Sequence, residues 1–303
     1  MISRSQLSKP WWCWYLALVI TALIWGVAFV PQRSAMEHTG PLTFNALRFG
    51  LGALLIVLCC GARRFSSLSH TDYRAIGILG LLLFAGAALQ QIGMVTTTAG
   101  QGGFITGLYI VLIPIFLFFF WSERLPVNCW SGALVALLGL GLLSLTEQVR
   151  ISSGDLWVFG CAVAFAFHVI FVGKLAQHSD PIVLVVGQNL VCAIFNGIGA
   201  IALEQDRWST TFQAWPELTY MVFCSIGIAY TLQVLAQRHV PVASAALILS
   251  LEGVFAALGG WYLLGEVLTE RQIWGCVLMM VGIVLAQLHL LKQSPVPDRP
   301  QAI

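Results

Sequence analysis

Ten runs of roughly twenty mostly apolar residues follow one another along the chain, at 12–32, 43–62, 74–94, 98–121, 126–146, 155–175, 182–203, 218–237, 242–264 and 270–291. About 20 apolar residues in helical form cross the hydrocarbon core of a bilayer, whereas a barrel strand needs only about 10. Helix is the state that pairs every backbone amide within such a run, because an open sheet would leave its edges unsatisfied in lipid. The sequence therefore predicts an all-α integral membrane protein with ten transmembrane helices. Composition argues the same way. Charged residues make up 9% of the chain and hydrophobic ones 58%, against about 25% charged in soluble domains.

The runs are written twice. At an offset of 143, Gln90 falls on Gln233, Tyr109 on Glu252, Glu123 on Glu266, Gly132 on Gly275 and Gly139 on Gly282. At an offset of 140, His38 falls on His178, Pro41 on Pro181 and Arg48 on Gln188, the slip being absorbed by the longer Glu204–Pro216 segment. The predicted units are 12–147 and 154–291, each with five helices, and the prolines of 294–303 predict a disordered tail. An odd number of helices per unit makes the second enter the membrane upside down. Inverted five-helix repeats of this kind build transporters, with the substrate held where the repeats meet.

Orientation follows from the basic residues. With the N-terminus in the cytoplasm, ten Lys and Arg fall on the cytoplasmic side and four (Arg33, Arg150, Arg207, Arg271) on the other. Such a bias predicts both termini inside. The first run, opened by Trp11, Trp12, Trp14 and Tyr15, is read as a spanning helix with an interfacial aromatic belt; it is too long for a signal peptide and lacks an A-x-A site.

Several function classes are disfavoured. A net charge of +2 with scattered basic residues makes no nucleic-acid footprint. The eight cysteines form no C-x-x-C pair and read as small hydrophobes in apolar runs. Protease, esterase and P-loop motifs are absent, so neither an enzyme, nor ATP-driven transport, nor a metal or other cofactor is expected.

Polar residues within the apolar runs carry what chemistry there is, since an ionisable group in the membrane faces the bundle interior or a cavity. Arg48 either meets an anionic substrate group, such as a carboxylate, or forms a structural salt bridge or is a snorkelling side chain near the helix end. Glu252 either binds an amino group or a coupling proton, or is fixed in an ion pair with Arg48 or Lys174. The related pair Gln90 and Gln233, with Gln91 beside it, reads as substrate ligands or as interhelical glue. Gln188 stands where the first half has Arg48. His168 is a candidate proton carrier or a satisfied core histidine. Trp25, Phe29, Tyr109 and Tyr230 are candidate cavity aromatics. The glycine pairs, seven residues apart, predict close backbone approach, Gly100, Gly102, Gly103 and Gly107 a bendable fourth helix, and Glu123 and Glu266 structural helix ends.

Trp25-Gly26-Val27-Ala28-Phe29, Arg48-Phe49, Thr98-Ala99-Gly100, Phe104-Ile105-Thr106-Gly107-Leu108-Tyr109 and the twin Glu/Gly closures resemble the drug/metabolite transporter superfamily, specifically its bacterial ten-helix members with two EamA domains. The resemblance covers about 12–290 and implies cytoplasmic termini, a cavity between the repeats and carrier-type movement of small metabolites. Arg48 matches an arginine common in the second helix of such proteins; Gln188 departs from it in the second repeat. The combined expectation is an inner-membrane carrier exporting a small polar or amphipathic metabolite, such as an amino acid or derivative, by alternating access. Its partners are that small molecule, the lipid bilayer and, with coupling left open, protons. Uptake of a vitamin or nucleotide-like solute is the alternative within transport, a membrane-embedded enzyme the alternative outside it. Oligomeric state is not legible.

Overall fold

The computed structural model describes residues 10–144, 152–264 and 268–292, and all regular structure among them is helical. The first half holds α1 (Trp11–Ala35), α2 (Pro41–Cys60), α3 (His70–Gly93), α4 (Ala99–Gly107), α5 (Tyr109–Trp121) and α6 (Val127–Ser144). The second holds α7 (Ser153–Leu175), α8 (Pro181–Leu203), α9 (Trp215–Tyr220), a π-helical segment Met221–Tyr230, α10 (Thr231–Gln237), α11 (Val242–Leu249), α12 (Glu252–Leu264) and α13 (Glu270–Lys292). Eight described segments are long and apolar enough to cross a membrane, and Val127–Leu143 is apolar but shorter. The chain is a multi-pass membrane protein. The tail at 294–303 and Glu266 lie outside the described residues.

Helix starts follow from local chemistry. Proline opens α2 and α8, where its missing N–H costs nothing. Ser69 with Asp72, and Ser152 with Asp155, close reciprocal capping boxes at α3 and α7. Left-handed Ser122 ends α5, turning the chain so that Glu123 meets Lys174 at 2.6 Å.

Two runs expected as single helices are broken, and at related places. Between α4 and α5 the helix tightens at Leu108, whose N–H bonds Ile105 O at 3.2 Å. Between α11 and α12 the Leu251 N–H bonds Ile248 O at 3.1 Å, and an offset of 143 carries one bond onto the other. Gly107, the last residue of α4, weakens the helix at the first break. At the second, Ser250 turns its hydroxyl back onto Leu247 O at 2.7 Å, a side-chain bond that competes with the helix ladder. Tyr109 and Glu252 are the first residues beyond the two breaks.

The halves pack on one another by antiparallel helix pairs. α3 runs along α7, with Gly93 against Gly154 and Gly86 under Phe165; α2 runs along α8, with Gly199 against Leu42 and Gly50 near Ala193. α6 and α13 cross tightly, and all four predicted glycines lie on the crossing. A Cβ at Gly132 would stand 2.5 Å from Gly282 O, and one at Gly139 2.6 Å from Gly275 O. Only three of the eight cysteines (Cys129, Cys161, Cys192) are buried, and Cys59 and Cys60 are exposed at the end of α2.

Both ends of the α2–α8 pair carry a carboxylate joint. At one, Asp180 caps its own helix through Ile182 N–H (2.8 Å) and pairs with Arg64 at 2.7 Å. At the other, Gly40 offers no cap, and Glu204 takes over from across the interface. Its carboxylate accepts from Leu42 N–H (2.9 Å), Thr43 N–H (2.8 Å) and the Thr43 hydroxyl (2.8 Å). An offset of 140 carries Arg64 onto Glu204 and Gly40 onto Asp180. The two joints differ in burial, so their loss should differ. Glu204→Ala is expected to lower stability by about 2 kcal/mol, because the α2 N-terminus loses its only side-chain cap. Arg64→Ala should cost about 1 kcal/mol or less, its ion pair being exposed. Thermal melts of the purified variants in one detergent check the order.

Candidate functional site

A cavity lies between the halves, walled by both. From the first half come Trp25, Phe29 and Gln32 of α1, Arg48 of α2, Gln90 of α3, Thr106 of α4 and Tyr109 of α5. From the second come Phe165, His168 and Val169 of α7, three residues of the π-helical segment, Gln233 of α10, Leu249 of α11 and Glu252 of α12. Six of the seven predicted site residues line it: Arg48, Gln90, Tyr109, His168, Gln233 and Glu252. The seventh, Gln188, stands behind the wall and bonds His168 Nε2 at 2.9 Å. The cavity holds about 50 Å³, room for a few waters. Any larger occupant requires the walls to part.

Arg48 is 3% exposed and held in place from three sides. Its Nη1 donates to Gln32 Oε1 at 2.9 Å, and its guanidinium lies 4.9 Å from the Phe49 ring centre and 5.5 Å from that of Phe44. Gln32 is itself fixed, its backbone carbonyl accepting from Gln91 Nε2 at 3.0 Å. Arg48 Nε has no hydrogen-bond partner. Among the described residues no carboxylate lies within 4 Å of this guanidinium, and the salt-bridge alternative is not what the structure shows.

Glu252, 4% exposed, is also without an ion pair among the described residues. Lys174 is engaged with Glu123, and Arg48 with Gln32. Tyr109 and Glu252 stand close enough to interact through their side chains, but neither Tyr109 Oη nor Glu252 Oε1 meets a partner in good hydrogen-bond geometry. A buried polar atom left open costs stability unless something else satisfies it. The cavity therefore presents one open cation and one open carboxylate.

The remaining polar wall is uneven. Gln90 Nε2 bonds the Thr106 hydroxyl at 3.3 Å, whereas both ends of the Gln233 amide are open. Aromatic rings fill the space between: Trp25 packs on Tyr230 at 4.8 Å, Phe49 on Tyr230 at 5.9 Å, and His168 meets Tyr230 edge-on at 6.4 Å. The π-helical segment supplies Met221, Ser225 and Tyr230 to the wall. Its wider turn is a rare geometry that concentrates at functional sites. Gln91 points instead to α1 and serves as interhelical glue.

Sequence reasoning missed Gln32 and Ser225. Gln32 follows Pro31 inside an apolar helix, a visible signal, but the residue related to it by 140 is Val172, so a search for paired positions passes over it. Among the described residues no group of His, Cys, Asp and Glu is arranged to hold a metal.

Two stretches, 12–145 and 152–288, match the model of the EamA-like transporter family. The chain belongs to that family. An uncharacterized transporter of Archaeoglobus fulgidus is 29% identical over 275 residues, 91% of this chain and 86% of that protein. The threonine/homoserine exporter RhtA of Escherichia coli is 24% identical over 296 residues, 93% of this chain and 94% of its own. A Salmonella typhimurium protein described as a "Probable amino-acid metabolite efflux pump" is 27% identical over 286 residues, 89% and 93% of the two chains. A solved crystal structure superposes with a TM-score of 0.78 at 18% identity, covering 92% of this chain and 98% of that one; this likeness concerns the fold. As an EamA-like transporter the chain moves a solute across a membrane, and its central cavity is the candidate place for that solute.

Proposed function

We propose that this EamA-like transporter is an inner-membrane carrier that exports an amino acid or a close derivative by alternating access. The observation that carries the reading is the pair of open charges on one cavity. Arg48 suits a carboxylate, which a guanidinium can grip with two parallel bonds. Glu252 suits an ammonium, and the rings of Trp25, Phe29 and Tyr230 suit an apolar side chain between them. Each charge is expensive to bury alone and is offset when a zwitterion fills the site. The names of the relatives from Escherichia coli and Salmonella typhimurium support export of such compounds.

The proposed frame is ten membrane passes in two inverted repeats, with both termini in the cytoplasm. Supporting it are the double family match, the related breaks at Leu108 and Leu251, and the crossing of α6 and α13. On that crossing Gly132 meets Gly282 and Gly139 meets Gly275, the reciprocal pairing that a two-fold axis produces. Its partners are the small-molecule substrate and the bilayer.

Counterflow in proteoliposomes tests the reading. Labelled threonine, leucine and phenylalanine are offered beside their decarboxylated amines and their deaminated acids. Saturable exchange of at least one amino acid, with both truncated analogues weaker by about 10-fold or more, is the expected result. Exchange of a vitamin or nucleotide and of no amino acid would transfer the site to the uptake alternative.

A further inference from the structure

Four residues bring open polar atoms to the cavity. Arg48 Nε is a donor and Glu252 Oε1 an acceptor when ionised; Tyr109 Oη and the Gln233 amide can each accept through oxygen and donate through O–H or N–H. Tyr109, Gln233 and Glu252 are 3%, 1% and 4% exposed, so their open atoms are met by whatever occupies the cavity rather than by bulk solvent. Their positions follow from the duplication. Tyr109 and Glu252 are related residues, each the first beyond a helix break, and they bring a phenol and a carboxylate to one spot. Gln233 is open because the second half offers it no such partner as Gln90 has. Gln90 has Thr106 to bond, but the residue related to Thr106 is Leu249, which has no hydroxyl. The second half therefore leaves an amide open on the cavity.

We infer that Tyr109, Gln233 and Glu252 together form a three-oxygen receptor for a primary ammonium group, so that the carrier selects against N-methylated forms of its substrate. The inference rests on the amino-acid reading above and goes further, since a carboxylate by itself calls for only one N–H donor and would still be met by a mono- or dimethylated ammonium. An ammonium with three N–H donors satisfies all three oxygens. Each methyl removes one donor and leaves one buried oxygen open, which is how polar sites reject analogues that lack a hydrogen bond. Tyr109 and Gln233 are then the residues that set specificity, and Glu252 supplies the charge.

The test is competition counterflow with labelled threonine, leucine or phenylalanine, whichever exchanges, against its unlabelled primary, N-methyl and N-trimethyl forms. In the wild type the half-inhibitory concentration is expected to rise with each methyl, reaching about 100-fold for the trimethyl form. In Gln233→Leu and in Tyr109→Phe the ratio of trimethyl to primary form should fall by about 10-fold. Size-exclusion profiles identify folded variants, and the wild-type series stands whether or not they fold. Equal inhibition by primary and trimethyl forms overturns the inference while leaving the amino-acid reading intact. So does a ratio that neither folded variant changes. Absence of exchange for all three amino acids overturns both.

Discussion

Gly139→Val is expected to lower stability by about 3 kcal/mol. A Cβ at this position would lie 2.6 Å from Gly275 O and from Met279 N. Those atoms are backbone, so no rotamer change relieves the clash and α6 must move away from α13. The same holds at Gly282, where a Cβ would lie 2.6 Å from Ala136 N and from Gly132 O. In lipid the separation matters more than in water. Helix association there rests on close van der Waals contact rather than on exclusion of water, and glycine is what permits the approach. Gly77→Ala is the control, because nothing lies within 4 Å of a Cβ there. It should be neutral or stabilise slightly, as removal of a helix glycine commonly does. Melting temperatures of both variants in the same detergent decide the matter. Equal melting of Gly139→Val and wild type would mean that the crossing contributes nothing to stability.

How far the sequence could be read is clearest at these glycines. Their spacing of seven residues gave one helix face, and the repeat of that spacing gave two such faces. That they would cross each other was not legible, because which helices pair is a property of the whole bundle. The same division holds at the cavity. Ionisable and amide groups in apolar runs had to face inward, and Arg48, Gln90, Tyr109, His168, Gln233 and Glu252 do share one cavity. What each would touch did not follow from spacing. Glu252 was also consistent with an ion pair to Arg48 or Lys174, and the engagement of Lys174 by Glu123 and of Arg48 by Gln32 leaves it without one. Gln188 shows the limit from the other side, since symmetry with Arg48 put it at the site whereas its amide supports His168 from behind. The helix breaks were half legible. The glycines ending at Gly107 marked the first as bendable, but the second depends on a Ser250 side-chain bond that no local residue pattern announces.

Arg48→Gln and Glu252→Gln are expected to have the largest effects on transport, each lowering exchange of the amino-acid substrate by about 100-fold. Truncating one partner of a buried, hydrogen-bonded charge pair costs about 2–5 kcal/mol, since the other charge is left buried and unmet. Glu252→Gln keeps side-chain length and polarity, so the cavity should retain its shape there; Arg48→Gln keeps polarity but shortens the side chain by the guanidinium end. The two losses should differ in kind. Without Glu252 the site no longer calls for an ammonium, and the deaminated acid should become the better of the two substrates. Without Arg48 the preference should swing to the decarboxylated amine. A purely structural Arg48 or Glu252 would lower exchange of every analogue alike, so the crossed preference separates recognition from packing. Repeating the Glu252→Gln series with an imposed pH gradient extends the argument to coupling. A gradient that accelerates the wild type but not the variant assigns the proton to this carboxylate; one that accelerates both equally removes Glu252 from coupling and leaves His168 as the group on the cavity to test.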